Sequence, residues 1–199
     1  MLKVGLTGGI GTGKSTVSKF LKDAGFPIID ADVISREVLD KYPDILKRIR
    51  KEFGEGFFDW KGEFRRKEFG NHIFRFPRLR TRYEEMIIPY IIKEIDEAFK
   101  KLEDKKAKIV ILDAPTLIEN NLHEVMDLVV VVWADHNTQL SRIKDRDRLG
   151  TGEALQRINA QLSLEKKKEY ANIIIDNSKD ILSTEVQVRD LIGILNLYK

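Results

Sequence analysis

A parallel α/β sheet with helices on both faces is the fold class this sequence predicts, on three observations. Five short apolar runs, at residues 4–6, 27–29, 109–112, 128–133 and 173–175, are continuous and not alternating, as expected of strands covered on both faces. Between them the apolar spacing changes to that of helices, which supply the crossovers that parallel strands need. The first run passes straight into a glycine-rich turn and then into an amphipathic stretch.

Each element has its own local reason. After the turn, Val17, Phe20, Leu21 and Ala24 fall at i, i+3, i+4 and i+7, one face of a helix. Residues 40–102 hold no strong strand and read as a mostly helical insertion between the second and third strands. Within it, Tyr90, Ile91, Ile95, Ala98, Phe99 and Leu102 form a stripe. Pro89 suits a first helical position and is expected to separate this helix from one that begins near Pro77. Val188, Leu191, Ile192 and Leu195 repeat the helical spacing near the end. No internal repeat or low-complexity tract interrupts the pattern.

Composition narrows the chemistry. The chain has 199 residues, 42% apolar and 34% charged, which suits a globular domain with a real core. It has no Cys, so disulfides, thiolate catalysis and iron–sulfur clusters are excluded. Its three His, at 72, 123 and 136, are too scattered to suggest a His-rich metal site. No apolar run is long enough to span a bilayer and no signal-peptide pattern opens the chain, so a cytoplasmic protein without a membrane partner is expected. The net charge of +3 is too small to argue for bulk nucleic-acid binding. Local basic clusters say more: Lys61, Arg65, Arg66, Lys67, Arg75, Arg78, Arg80 and Arg82 form one, and Arg142, Lys144, Arg146 and Arg148 another. Each reads equally as a solvated face or as an anion site.

The segment Gly8-Gly9-Ile10-Gly11-Thr12-Gly13-Lys14-Ser15 matches G-x-x-x-x-G-K-[ST]. Chance alone yields such a match in on the order of one chain in a hundred of this length. Here it also lies between a strand and a helix, where the motif belongs. Glycines let backbone N–H groups turn inward around a phosphate, and the helix N-terminus adds partial positive charge. Lys14 then reaches the β- and γ-phosphates, and the Ser15 hydroxyl is suited to ligate Mg²⁺. The motif implies binding of a nucleoside triphosphate. A guanine-reading N-K-x-D is absent, and the D-x-x-G strings at 59–62 and 147–150 do not follow the third strand. The length is short for a helicase or motor, so a small-molecule kinase is favoured.

Asp30 and Asp32 come at the C-terminal end of the second strand, the edge where ligands bind in open parallel sheets. One is suited to accept a proton from an acceptor hydroxyl while lying near the metal, the other to cap the next helix. Asp32 is assigned the base and Asp30 the structural role. Asp113, just past the third strand, stands where a metal-side carboxylate would, or a turn residue. Arg142 and Arg146 are four apart on an expected helix and share a face toward a phosphate chain, although Asp145 and Asp147 also permit plain surface pairs.

These residues carry a resemblance to the dephospho-coenzyme A kinase family. It runs in order through LTGGIGTGKSTV from Leu6, IIDAD from Ile28, FGEGFF from Phe53, ILDAPTLIEN from Ile111, QLSRIKDRD from Gln139, ALQRINAQ from Ala154 and IIDN from Ile174. The resemblance implies a P-loop NTPase fold of the adenylate-kinase type with a five-stranded parallel sheet, a helical acceptor insertion and a lid. Its implied parts are a core of about 1–39, 103–140 and 171–199, a CoA-acceptor insertion of about 40–102 and a lid of about 141–170. It implies transfer of phosphate from ATP, with Mg²⁺, to the ribose 3′-hydroxyl of dephospho-CoA. By the same likeness ATP is held by Gly9, Gly11, Thr12, Gly13, Lys14, Ser15 and Thr16, with Asn177 near adenine. Catalysis falls to Asp32, Lys14, Arg142 and Arg146, the acceptor to Asp32 and Arg66, and the metal to Ser15, Asp32 and Asp113. A monomer is favoured. The chain departs from the family pattern at Gly70, Ile88, Thr116, Ser163 and Asn172, where Arg, His, Leu, Pro and Asp are common. A nucleoside or nucleoside-monophosphate kinase is the alternative enzyme, and a nucleotide-dependent binding switch the alternative of another class.

Overall fold

The computed structural model describes residues 1–198, Phe74 by its backbone alone. All five apolar runs become strands: β1 (Leu2–Gly8), β2 (Ile28–Asp30), β3 (Ile109–Asp113), β4 (Leu128–Trp133) and β5 (Ile173–Asp176). They form one parallel sheet in the order β2-β3-β1-β4-β5. With β1 between β3 and β4, the turn that follows β1 emerges at the centre of the sheet's C-terminal edge. There the register pairs Leu6 with Asp113, Gly8 with Val132, and Asp30 with Asp113.

The helices are α1 (Lys14–Asp23), α2 (Ala31–Lys41), α3 (Pro43–Phe53), α4 (Arg66–Arg75), α5 (Pro77–Asp104), α6 (His136–Asp147), α7 (Thr151–Asn159), α8 (Leu164–Lys168) and α9 (Ile181–Asn196). Among the described residues no helix is long and apolar enough to cross a membrane. The chain divides into two compact units, residues 1–31 with 98–199, and residues 32–97.

In the first unit, Val17 and Leu21 of α1 and Val188, Leu191 and Leu195 of α9 pack on Val4, Leu6, Ile109, Ile111, Val130, Val132 and Ile175. The intervening strand residues Val110, Leu112, Val129 and Val131 are buried as well, which explains why the runs are continuous. Burying each such side chain contributes roughly 1.5–3 kcal/mol. The second unit has its own core of Val38, Leu39, Ile45, Ile49, Phe58, Phe69, Ile73, Met86 and Ile87. Edge-to-face contacts of Phe69 with Phe53, Phe57 and Tyr83 hold its centre.

One local expectation is corrected. Pro89 does not begin a helix: it lies inside the continuous α5. Its ring removes one helical hydrogen bond at a cost of about 3 kcal/mol. Buried side chains on both sides, Met86 and Ile87 before it and Ile95 and Phe99 after it, hold the helix through that defect. β2 ends at Asp30, and Asp32 lies just beyond it in the first turn of α2, where a carboxylate suits the helix dipole.

Candidate active site

The turn after β1 is shaped by its own bonds. Thr12 is fully buried, and both its N–H (3.2 Å) and its hydroxyl (2.8 Å) donate to the Gly9 carbonyl. Gly11 and Gly13 have φ of 80° and 84°, a region open to glycine and strained for other residues. Space excludes a side chain too. A Cβ on Gly13 would lie 2.0 Å from Asn177 Nδ2, and one on Gly11 would lie 2.8 Å from Ile143 Cγ1. Gly13 caps α1, whose first residues are Lys14, Ser15 and Thr16. Thr16 N–H is already bonded to Gly13 O at 2.9 Å, so the open donors and the positive potential of this helix end belong to its first residues, Lys14 and Ser15.

Three side chains from elsewhere hold the loop. Asn177 Nδ2 donates to Thr12 O at 2.7 Å, while its Oδ1 accepts from the Thr184 hydroxyl at 2.6 Å. Gln139 of α6 donates to Ile10 O at 2.7 Å, and Ile10 N–H donates to Gln161 at 2.8 Å. The Lys14 ammonium donates to the carboxylate of Asp113, a residue that is 5% exposed at the end of β3. Lys14 and Asp113 are therefore brought together at the loop, with Ser15 exposed in the adjacent helical turn.

The arginine pair divides. Arg142 Nη1 is buried without a hydrogen-bond partner and lies 3.9 Å from where a Gly13 Cβ would stand. A buried cationic donor without a partner beside an anion-binding loop is a group waiting for an acceptor. Arg146 is occupied instead: its Nε and Nη2 reach the two oxygens of Asp147 at 2.7 and 2.9 Å. The Arg146 hydrogen bond, helped by the charge of Arg157, holds the Asp147 carboxyl below its ordinary range. The helix that carries both arginines starts at Asp135, which accepts from Thr138 N–H at 3.0 Å and from its hydroxyl at 2.5 Å.

In the second unit, Asp32 is exposed and its carbonyl accepts from Ser35 and Arg36. Arg66 opens α4 and donates to Asp40 at 2.5 Å and to Arg36 O at 3.0 Å. Burial pushes the nearby Tyr83 phenol up to about 12, with the Arg66 charge opposing.

Sequence reasoning missed Lys167. Its side chain is fully buried, and Nζ reaches Pro115 O at 2.5 Å, Gly8 O at 3.5 Å and Glu119 at 2.9 Å. Burial lowers its pKa, against the raising effect of Glu119 and with the added repulsion of Lys14. In the run Lys166-Lys167-Lys168 nothing separates it from two solvated neighbours. Glu119, Gln139 and Gln161 lay inside the quoted motifs without an assigned role.

A divalent cation such as Mg²⁺ fits these residues. Ser15 offers a hydroxyl and Asp113 a carboxylate, and among the described residues no group of three or more His, Asp or Glu forms a cage. Two protein oxygens completed by phosphate and water suit Mg²⁺.

Comparison with known proteins gives one consistent result. A family model described as dephospho-CoA kinase matches residues 2–183. A protein named dephospho-CoA kinase from Clostridium perfringens is 58% identical over 199 residues, covering 100% of both chains. One of the same name from Clostridium tetani is 50% identical, covering 98% of this chain and 86% of its own. A solved structure named dephospho-CoA kinase from Campylobacter jejuni matches with a TM-score of 0.72 at 26% identity, covering 97% of this chain and 96% of its own.

Proposed function

The chain belongs to the dephospho-CoA kinase family, and from that premise we propose how its own residues perform the transfer. It is an ATP-dependent kinase that phosphorylates the ribose 3′-hydroxyl of dephospho-CoA, giving CoA and ADP in coenzyme A biosynthesis. On our reading, Gly9, Gly11, Thr12, Gly13, Ser15 and Thr16 present the loop and the α1 N-terminus to the β- and γ-phosphates. Lys14 exchanges its bond to Asp113 for one to a phosphate oxygen, so the cation is ready in place before ATP arrives. Arg142 takes the developing charge on the transferred group, and its unpartnered buried nitrogen is the observation that carries this role. Arg146 must leave Asp147 to join it.

Asp32 accepts the proton of the acceptor hydroxyl, and Arg66 binds the acceptor's phosphates on our reading. Ser15 and Asp113 would hold Mg²⁺, with Asp32 the third carboxylate or hydroxyl donor on our reading, and the ion when bound would neutralise phosphate charge. Asn177 acts through the loop: its amide is committed to Thr12 and Thr184, so it supports the ATP site from behind. The two arginines test the reading. Arg142→Ala should lower kcat by about 10²-fold or more, and Arg146→Ala by less because that side chain starts on Asp147. An unchanged kcat for Arg142→Ala would overturn the assignment.

A further inference from the structure

Lys167 lies outside every role assigned so far, yet it is the one lysine described as fully buried. Its contacts converge on the loop. Gly8, whose carbonyl it approaches at 3.5 Å, is the last residue of β1 before the phosphate-binding turn. Pro115, whose carbonyl it holds at 2.5 Å, is two residues past Asp113 and also accepts from the Thr7 hydroxyl at 3.2 Å. A single ammonium thus joins the segment that leads into Lys14 to the segment that carries Asp113. Lys167 is charge-paired with Glu119 at 2.9 Å, and Glu119 also accepts from Leu162 N–H at 3.1 Å, just ahead of α8.

The chain between α6 and α8 is tied to the same loop at both ends. Gln139 enters it bonded to Ile10 O and Gln161 leaves it bonded to Ile10 N, so the loop's apex is gripped from two sides while Lys167 holds its base. Breaking this buried hydrogen-bonded charge would leave unpaired carbonyls and an unpaired carboxylate, so the ammonium is committed to these partners. A surface lysine would be cheaper for stability, and an apolar side chain of similar length would fill the same volume.

Resting on the kinase reading above, we propose that Lys167 is a positioning residue for phosphoryl transfer, fixing the Gly8 and Pro115 backbones so that Lys14 and Asp113 meet the donor phosphates in register. It touches no substrate itself. Its effect should therefore fall on kcat, since a displacement of about 1 Å at a reacting centre costs on the order of 10²-fold.

The test measures kcat and both KM values for the wild type, Lys167→Met and Glu119→Gln with Mg-ATP and dephospho-CoA, with circular dichroism to confirm folding. Lys167→Met should lose at least about tenfold in kcat with the dephospho-CoA KM within about twofold. Glu119→Gln keeps an acceptor for Nζ and removes the charge, so its kcat should fall by less, about three- to tenfold. A folded Lys167→Met with wild-type kcat and only a lowered Tm would overturn the proposal and leave a structural lysine. If that variant does not fold, an unchanged kcat in Glu119→Gln overturns it. An inactive wild type would instead count against the kinase reading, so the two failures are distinguishable.

Discussion

Asp32 and Asp30 differ by two positions, and the structure separates them: Asp30 ends β2 beside Asp113, while Asp32 lies in the first turn of α2. The proton-acceptor role assigned to Asp32 predicts that Asp32→Asn lowers kcat by about 10²-fold or more with ATP affinity unchanged. Steady-state rates combined with a nucleotide titration check this, and near-normal turnover would remove Asp32 from the reaction. At this scale the sequence was most legible where a motif constrains chemistry, as at Gly11, Gly13 and Lys14. It was least legible where a polar side chain acts on backbone from a distance: nothing in the spacing of Gln139, Gln161 or Lys167 reveals contacts more than a hundred residues away in the chain. Three of the positions that the resemblance marks as unusual make local contacts. Ser163 caps α8 by accepting from Lys166 N–H at 3.2 Å, Asn172 accepts from Val129 N–H at 2.7 Å, and Thr116 accepts from Asn120 at 3.0 Å.

Among the elements, the strands were readable because burial on both faces leaves a continuous apolar run, and a run of that kind bounded by turns has few other readings. Helix α5 was misread because a proline is a local signal and tertiary packing overrides it. Pro89→Ala restores the donor to the helix interior, so Tm should rise, by an amount corresponding to at most about 3 kcal/mol. A lower Tm would mean that the proline ring is itself needed for packing. The cap of α6 supplies a pH dependence. Hydrogen bonds from the Thr138 hydroxyl and N–H hold the Asp135 carboxyl below its ordinary value of 3.8. A depressed folded pKa means that this cap stabilises above the unfolded value and is lost as pH falls through the folded one. The Tm difference between the wild type and Asp135→Ala should therefore be steady from about pH 7 to about pH 5 and shrink below 3.8. A difference that grows on acidification would contradict the cap.

For the whole molecule, the strand order puts β1 at the centre, so its turn, the end of β3 and the start of α6 converge on one edge of the sheet. On the reading proposed above, that convergence builds the nucleotide site from residues far apart in sequence, and the order of strands is not written in any local window. The segment at 32–97 forms a compact unit with its own aromatic core, and its cluster of basic residues gave no sequence signal that separates acceptor contacts from surface pairs such as Arg82–Glu52. Transfer from ATP to one acceptor is what the family assignment requires of this chain. The most direct measurement is ADP release from Mg-ATP with dephospho-CoA, with nucleoside monophosphates, with nucleosides and with no acceptor. Stimulation by dephospho-CoA alone, with CoA as the product, is the predicted result; stimulation by a monophosphate or nucleoside in its place, or none with dephospho-CoA, would contradict it.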